Sequence, residues 1–390
     1  MKRIIDIDWI VLNLIILLPI TTLFQAKVPI INKTIFFILI ILLSYSLFVS
    51  TYKKTTIAFV FGFSIVYMLS FFFTDGVADN PNEYFYMLFF ILYANYIVIK
   101  GRNIISVING NRQHIYRVIL IWNVCVLVSM FFKSSYRDGY FFSFTGNVFR
   151  SATSALFVLS LLIFIVEYNK KTILLSILPL YCIFAGGSRT YLFVGIIVFI
   201  MIYYMIVPSE KFFLVSLIPM GIILLIIICN SSIMNKINES LIVSSTDYYK
   251  DPLVKFSSGR SIFWKADLMA FFQGSIFHQI FGYGYNFVYD VNKLAINNRI
   301  WAHNDYINVL MNYGYIGLGC YVGVFWDMYK ECTKVRGLPK WVNFSLIVIW
   351  AFNAFFNMFY TYICAVASYP FIVLGIVSFF EKNIVKENDK

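Results

Sequence analysis

The chain has 390 residues, 60% of them hydrophobic and only 13% charged, with a formal net charge of +12. Soluble domains carry roughly 25% charged residues, so a soluble globular domain is excluded. The basic balance does not indicate nucleic acid, because most Lys and Arg sit in short loops between apolar runs, where cytoplasmic retention places them.

A membrane-crossing helix needs about 20 mostly apolar residues. On that rule the sequence predicts about twelve spans, at 9–24, 34–50, 55–73, 84–99, 115–132, 151–167, 172–185, 190–207, 212–229, 303–327, 341–359 and 362–380. The expected architecture is all-α and polytopic: one transmembrane domain over residues 1–390, with a large outward-facing loop at 230–302 that contains short helices. The opening Met-Lys-Arg followed by an apolar run resembles a signal peptide. No small-x-small cleavage site follows, so an uncleaved first span is expected. Lys53, Lys54, the basic stretch from Lys100 to Arg117, Lys170, Lys171, Lys211, the stretch from Lys330 to Lys340 and the C-terminal tail fall on one side of these spans. That side is read as cytoplasmic, with both termini inside. The loop after Phe73, TDGVADNPNE, is acidic and lies outside.

Pro179, Pro219 and Pro370 fall within spans and are expected to kink them, which neighbouring helices tolerate. The six cysteines are scattered and form no CxxC pair; packing is their reading, with no zinc site. The three His are widely separated, which gives no metal ligand set and no cofactor. Charged residues are nearly absent from the middles of the predicted spans. Ion-coupled carriers usually keep acids there, which disfavours such a carrier and leaves a flippase open.

The polar residues on the outer side fall in four places. GNVFRS puts Asn147 and Arg150 before the sixth span. GGSRTY is a tight turn that glycine permits, with Arg189 at the start of the eighth. An interfacial Arg can simply snorkel, or its guanidinium fork can grip phosphate oxygens. SSGRSIFWKADL predicts an amphipathic surface helix. Ser257 or Ser258 would cap it, and Ile262, Phe263, Ala266 and Met269 would form its apolar stripe. Arg260 and Trp264, four apart, share a face. They serve either a plain interfacial helix or a phosphate grip with an aromatic platform. FGYGYN follows as a glycine-rich turn. His303, in AHNDY, is either a structural histidine or a general base, since its ordinary pKa lies near working pH.

These segments together resemble the O-antigen polymerase and O-antigen ligase superfamily. The matches are the SRT turn (Ser188, Arg189, Thr190), GRSIFW (Gly259 to Trp264), FGYGY (Phe281 to Tyr285) and HNDYINVLMNYGYIG (His303 to Gly317), in that family's order. GNVFRSATSAL resembles the family's glycine-asparagine stretch more loosely and lacks its proline. The resemblance implies metal-independent, inverting glycosyl transfer on the outer face, from a glycan carried on undecaprenyl diphosphate. It implies that Arg189 and Arg260 hold the diphosphate and that His303 accepts the acceptor's proton. Arg150, Trp264, Tyr283, Tyr285 and Asn304 are the candidate substrate-binding residues. The expected function is polymerisation of repeat units into an O-antigen, capsule or exopolysaccharide. A ligase acting on a lipid core, protein or wall acceptor is the alternative, and a lipid-linked oligosaccharide flippase the second. The implied partners are the lipid-linked glycan, membrane lipid, a flippase and a chain-length regulator.

Overall fold

The computed structural model describes residues 7–49, 54–74, 82–137, 139–168, 170–207, 209–229, 254, 257 and 259–388. The acidic loop after Phe73 and the first part of the 230–302 loop, including Ser258, therefore lie largely outside the described residues.

Every predicted span coincides with a helix. The helices are α1 Ile7–Leu23, α2 Pro29–Phe48, α3 Lys54–Phe73, α4 Asn82–Gly110, α5 Arg112–Ser129, α6 Val148–Leu162, α7 Lys170–Ala185, α8 Arg189–Ile206 and α9 Glu210–Cys229. The loop region contributes α10 Arg260–Gln273, α11 Ile276–Phe281 and α12 Asn286–Ile296, followed by α13 Asp305–Thr333, α14 Lys340–Phe356 and α15 Ile363–Asn388. Among the described residues, six helical segments are long and apolar enough to cross a membrane by length and composition: Pro29–Phe48, Asn82–Gly110, Val148–Tyr168, Arg189–Ile206, Asp305–Lys330 and Ile363–Lys382. The protein is an integral membrane protein. A two-stranded hairpin, β1 Tyr136–Arg137 paired with β2 Tyr140–Phe141, is a small departure from the all-α expectation.

A helix that is apolar all round belongs in the centre of a bundle. Helix α6 is such a helix: Ser151 to Leu162 are all buried. Its small residues Ser151, Ala152, Ser154 and Ala155 allow the close backbone approach that membrane helix packing uses. It packs against α1, α7, α8 and α15. Trp122 of α5 donates to Ser154 Oγ at 2.8 Å, and Ser154 donates to the carbonyl of Pro19 at 3.0 Å. The outer helices instead turn large apolar side chains outward, among them Phe37 and Ile41 on α2, Ile121 and Val124 on α5, and Val215 and Ile218 on α9. In water such a surface would aggregate; against lipid it costs nothing.

Two predicted spans differ from the sequence reading. The sixth leaves the α-helix at Ile163 and continues as a 3-10 turn to Tyr168, with Ile165 non-helical. The freed carbonyl of Ile165 accepts from Thr172 Oγ1 at 2.7 Å. The tenth is broken at Gly314, at φ +67°. Irregular backbone at membrane depth is tolerated only where protein covers it, and the FGYGY segment provides the cover. Tyr283 N–H donates to the Met311 carbonyl at 2.9 Å, and Gly284 N–H to that of Asn312 at 3.3 Å. A Cβ on Gly314 would lie 2.3 Å from the Ile280 carbonyl oxygen, and one on Gly282 2.1 Å from that of Asn312.

The two ends of the bundle differ in chemistry. At one end Lys100 pairs with Asp8 at 3.2 Å, Arg112 pairs with Glu167, and Lys382 reaches Glu167 at 3.5 Å. The other end gathers the tail of α1, the starts of α2, α4, α6 and α15, and the segment before α13.

Candidate active site

The site is built from helix starts. Asn147 caps α6 by accepting from the N–H groups of Phe149 and Arg150, which fixes the turn that carries Arg150. The α7–α8 turn is closed by Gly186 and Gly187, the latter at φ +64°. A Cβ on Gly186 would meet the Cys182 carbonyl oxygen at 2.9 Å, so Arg189 opens α8 directly.

Helix α10 starts at Gly259 in the left-handed region. Ser257 Oγ accepts from Ser261 N–H at 2.9 Å, the capping role expected of Ser257 or Ser258. Its buried stripe is Phe263, Asp267 and Phe271, not the predicted Ile262, Phe263, Ala266 and Met269; Met269 is exposed. The stripe is shifted because α10 docks on α12 and the start of α13, so its inner face is set by protein packing. Asp267 lies in that interface, and burial pushes its carboxyl up to about 8.

Arg260 and Trp264 do share a face. Arg260 Nη1 donates to the carbonyl of Phe356 at the end of α14. The Trp264 ring meets Phe355 edge-on at 5.3 Å, and its Nε1 donates to the Ala302 carbonyl at 2.5 Å.

Three of the predicted residues interact electrostatically: Arg189 with Arg260, and Arg260 with His303. Burial, and after it the charge of Arg189, lowers the Arg260 guanidinium. Burial and then the charge of Arg260 depress His303 to about 4. His303 is half-buried at φ +51°, and its ring sits edge-on to Trp301 at 6.2 Å. Among the described residues no hydrogen bond engages its ring. The carboxylate two residues on, Asp305, instead accepts from Tyr321 at 2.6 Å.

Arg150 belongs to the same end of the bundle. With Gln25, Asn32, Asn147, Trp301 and Tyr362 it lines a cavity of about 240 Å³. Tyr362 feels both arginines: burial raises its hydroxyl to about 12, while Arg150 and then Arg260 pull it down.

The other predicted residues have structural contacts. Asn304 is buried and caps α13, its Oδ1 accepting from Ile307 N–H at 3.2 Å. Tyr283 stacks on Phe287 at 4.1 Å and on His278 at 4.8 Å, and donates to the Phe271 carbonyl at 3.2 Å. Tyr285 is buried against Tyr84 and Tyr313, because the FGYGY turn covers the break in α13.

Tyr362, Trp301, Gln25 and Asn32 were not legible as site residues, since each is a lone polar or aromatic residue at the end of a different helix. Glu83 departs further from expectation. Grouped by sequence with an outer acidic loop, it lies in the first turn of α4 and is 1% exposed. It accepts from Tyr289 at 3.2 Å, Asn308 at 2.7 Å and Tyr360 at 2.5 Å. These donors replace water around a buried carboxylate, and Tyr360 lies two residues from Tyr362 of the cavity. Among the described residues no three His, Cys, Asp or Glu side chains are grouped to hold a metal.

Residues 174–322, the stretch that carries Arg189, Arg260 and His303, match the family model described as O-antigen ligase. No curated protein matches the chain. Over residues 174–322 the chain thus carries a domain similar to the O-antigen polymerase and ligase superfamily.

Proposed function

We propose that the protein polymerises undecaprenyl-diphosphate-linked oligosaccharide repeat units into a surface polysaccharide by metal-independent, inverting glycosyl transfer. The observations that support this reading are the hydrogen bond from Trp264, on the helix that Arg260 opens, to the Ala302 carbonyl beside His303, and the charge interactions of Arg189 with Arg260 and of Arg260 with His303.

The acceptor hydroxyl oxygen forms a bond to the donor's anomeric carbon from the face opposite the leaving group. Its proton passes to a ring nitrogen of His303. The bond from the anomeric carbon to the phosphate oxygen breaks, and its electron pair leaves on undecaprenyl diphosphate. Arg189 and Arg260 hold that diphosphate and stabilise the charge that develops on it. Arg260 is half-buried, and a diphosphate bound there offsets the cost of its partly desolvated charge.

The depressed pKa of His303 keeps the imidazole unprotonated at neutral pH, as a base requires. A diphosphate on Arg260 offsets the charge that depresses it, so the ring becomes more basic when donor is bound. Binding and activation of the base are thereby coupled.

The site end of the bundle faces outward in this reading, and the end bearing Lys100, Arg112 and Lys382 faces the cytoplasm together with both termini. A flippase would deliver the repeat unit and a chain-length regulator would act on the product. Purified protein supplied with a defined undecaprenyl-diphosphate repeat unit tests the function. A product ladder spaced by one repeat is expected. A single transfer, seen only when a lipid core or protein acceptor is added, would make the protein a ligase. No product under either condition would overturn glycosyl transfer.

A further inference from the structure

The cavity beside the paired arginines has a chemistry of its own. Its volume of about 240 Å³ is below the ~300–1,000 Å³ typical of drug-sized ligands, so it suits a group the size of one sugar residue. The amides of Gln25, Asn32 and Asn147 and the rings of Trp301 and Tyr362 line it. Amides exchange hydrogen bonds with hydroxyl groups in either direction, and aromatic rings cover the C–H faces of a pyranose. A lipid tail would find too many polar groups here.

Arg150 is the ionised side chain of this lining. Among the described residues no carboxylate lies within ion-pair distance of it. Its charge acts on Tyr362, whereas Arg260 interacts with Arg189 first and then with Tyr362 and Tyr191. Arg150 is a second positive centre, on the cavity wall with Tyr362, where neither Arg189 nor Arg260 is part of the lining. Trp301, on the cavity wall, also touches the His303 ring. A sugar seated in the cavity would lie next to the proposed base.

We infer that this cavity is the acceptor-saccharide site and that Arg150 selects a sugar residue bearing an anionic group, a carboxylate or a phosphate. The inference rests on the glycosyl-transfer reading above.

Saturation-transfer titrations of the full-length protein in detergent would use methyl β-glucuronide, glucose 6-phosphate, methyl β-glucoside and inorganic pyrophosphate. At least one charged sugar should bind about tenfold more tightly than the neutral glucoside, the ratio that one charge-assisted hydrogen bond supplies. The better of the two names the anion. Arg150→Gln should erase the preference and keep pyrophosphate binding; Arg150→Lys should keep part of it. Arg260→Gln should do the reverse, losing pyrophosphate and keeping the preference. Equal binding of charged and neutral sugars overturns the inference. So does a preference lost with Arg260 rather than Arg150, or pyrophosphate binding lost with Arg150. If pyrophosphate binds wild type and depends on Arg260, the donor reading survives that failure; if it does not, both fall.

Discussion

The indole of Trp264 donates its N–H to the carbonyl of Ala302 at 2.5 Å, so the helix that carries Arg260 is tied to the residue immediately before His303. The proposed base and one proposed phosphate ligand are held in register by one hydrogen bond between otherwise separate segments. Trp264→Phe keeps the aromatic contact with Phe355 and removes only this bond. Net loss of such a bond is ~1 kcal/mol, and turnover should fall by about fivefold with thermal stability little changed. An unaltered kcat would show that the tether does not position the site.

His303 gives a pH prediction with a definite sign. The free protein's ring titrates at about 4, so the unprotonated base is retained well below the ordinary value of ~6.5. The acid limb of kcat/KM, which reports the free protein, should fall near pH 4 to 5. The limb of kcat should lie at higher pH, because bound diphosphate offsets Arg260. Coincident limbs in a pH–rate profile would remove the coupling. His303→Ala should lose turnover and still bind donor; full turnover in that variant would end the assignment of His303 as base.

Arg260→Ala and Arg189→Ala should each express and insert normally and lower kcat by roughly 10²–10³-fold, the effect of removing one donor that stabilises a leaving charge. Wild-type chain lengths from cells carrying either variant would eliminate the diphosphate clamp. Chelation with EDTA should leave turnover unchanged in the same assay, and inhibition reversed by a divalent cation would overturn the metal-free scheme.

Asp267 links loop stability to pH. Its carboxyl is raised to about 8 by burial, so the neutral form favours the folded loop. This contribution is complete below the unfolded carboxyl value of ~3.9 and is lost as pH rises through 8. Protection factors of residues 260–296, taken against the intrinsic exchange rate at each pH, should fall from pH 6 to pH 9, and Asp267→Asn should flatten that trend. An unchanged trend in the variant would place the pH sensitivity elsewhere.

Gly314→Ala should be strongly destabilising. The new Cβ would meet the Ile280 carbonyl oxygen in a backbone conformation that L residues rarely adopt, which costs roughly 2–5 kcal/mol in strain and overpacking together. Gly319→Ala, five residues on with nothing within 4 Å of its Cβ, is the control. Equal thermal midpoints of the two variants in detergent would show that the α13 break is not required.

Sequence alone determined the membrane class, a helix over each apolar run, and the segments that carry Arg189, Arg260 and His303. Hydrophobic run length and glycine-rich turns are local properties, and a membrane forces backbone hydrogen bonds to be satisfied within each segment, so local sequence suffices there. Only the tertiary structure decided the rest. It showed that FGYGY and NYGYIG interlock around Gly314, that Met269 faces outward while Asp267 is buried, and that Glu83 organises Tyr289, Asn308 and Tyr360. It also gathered Gln25, Asn32, Arg150, Trp301 and Tyr362 around one cavity. Those relationships join residues tens to hundreds of positions apart. In a bundle where nearly every helix is apolar on all sides, periodicity carries no signal of which faces meet, and packing alone selects the partners.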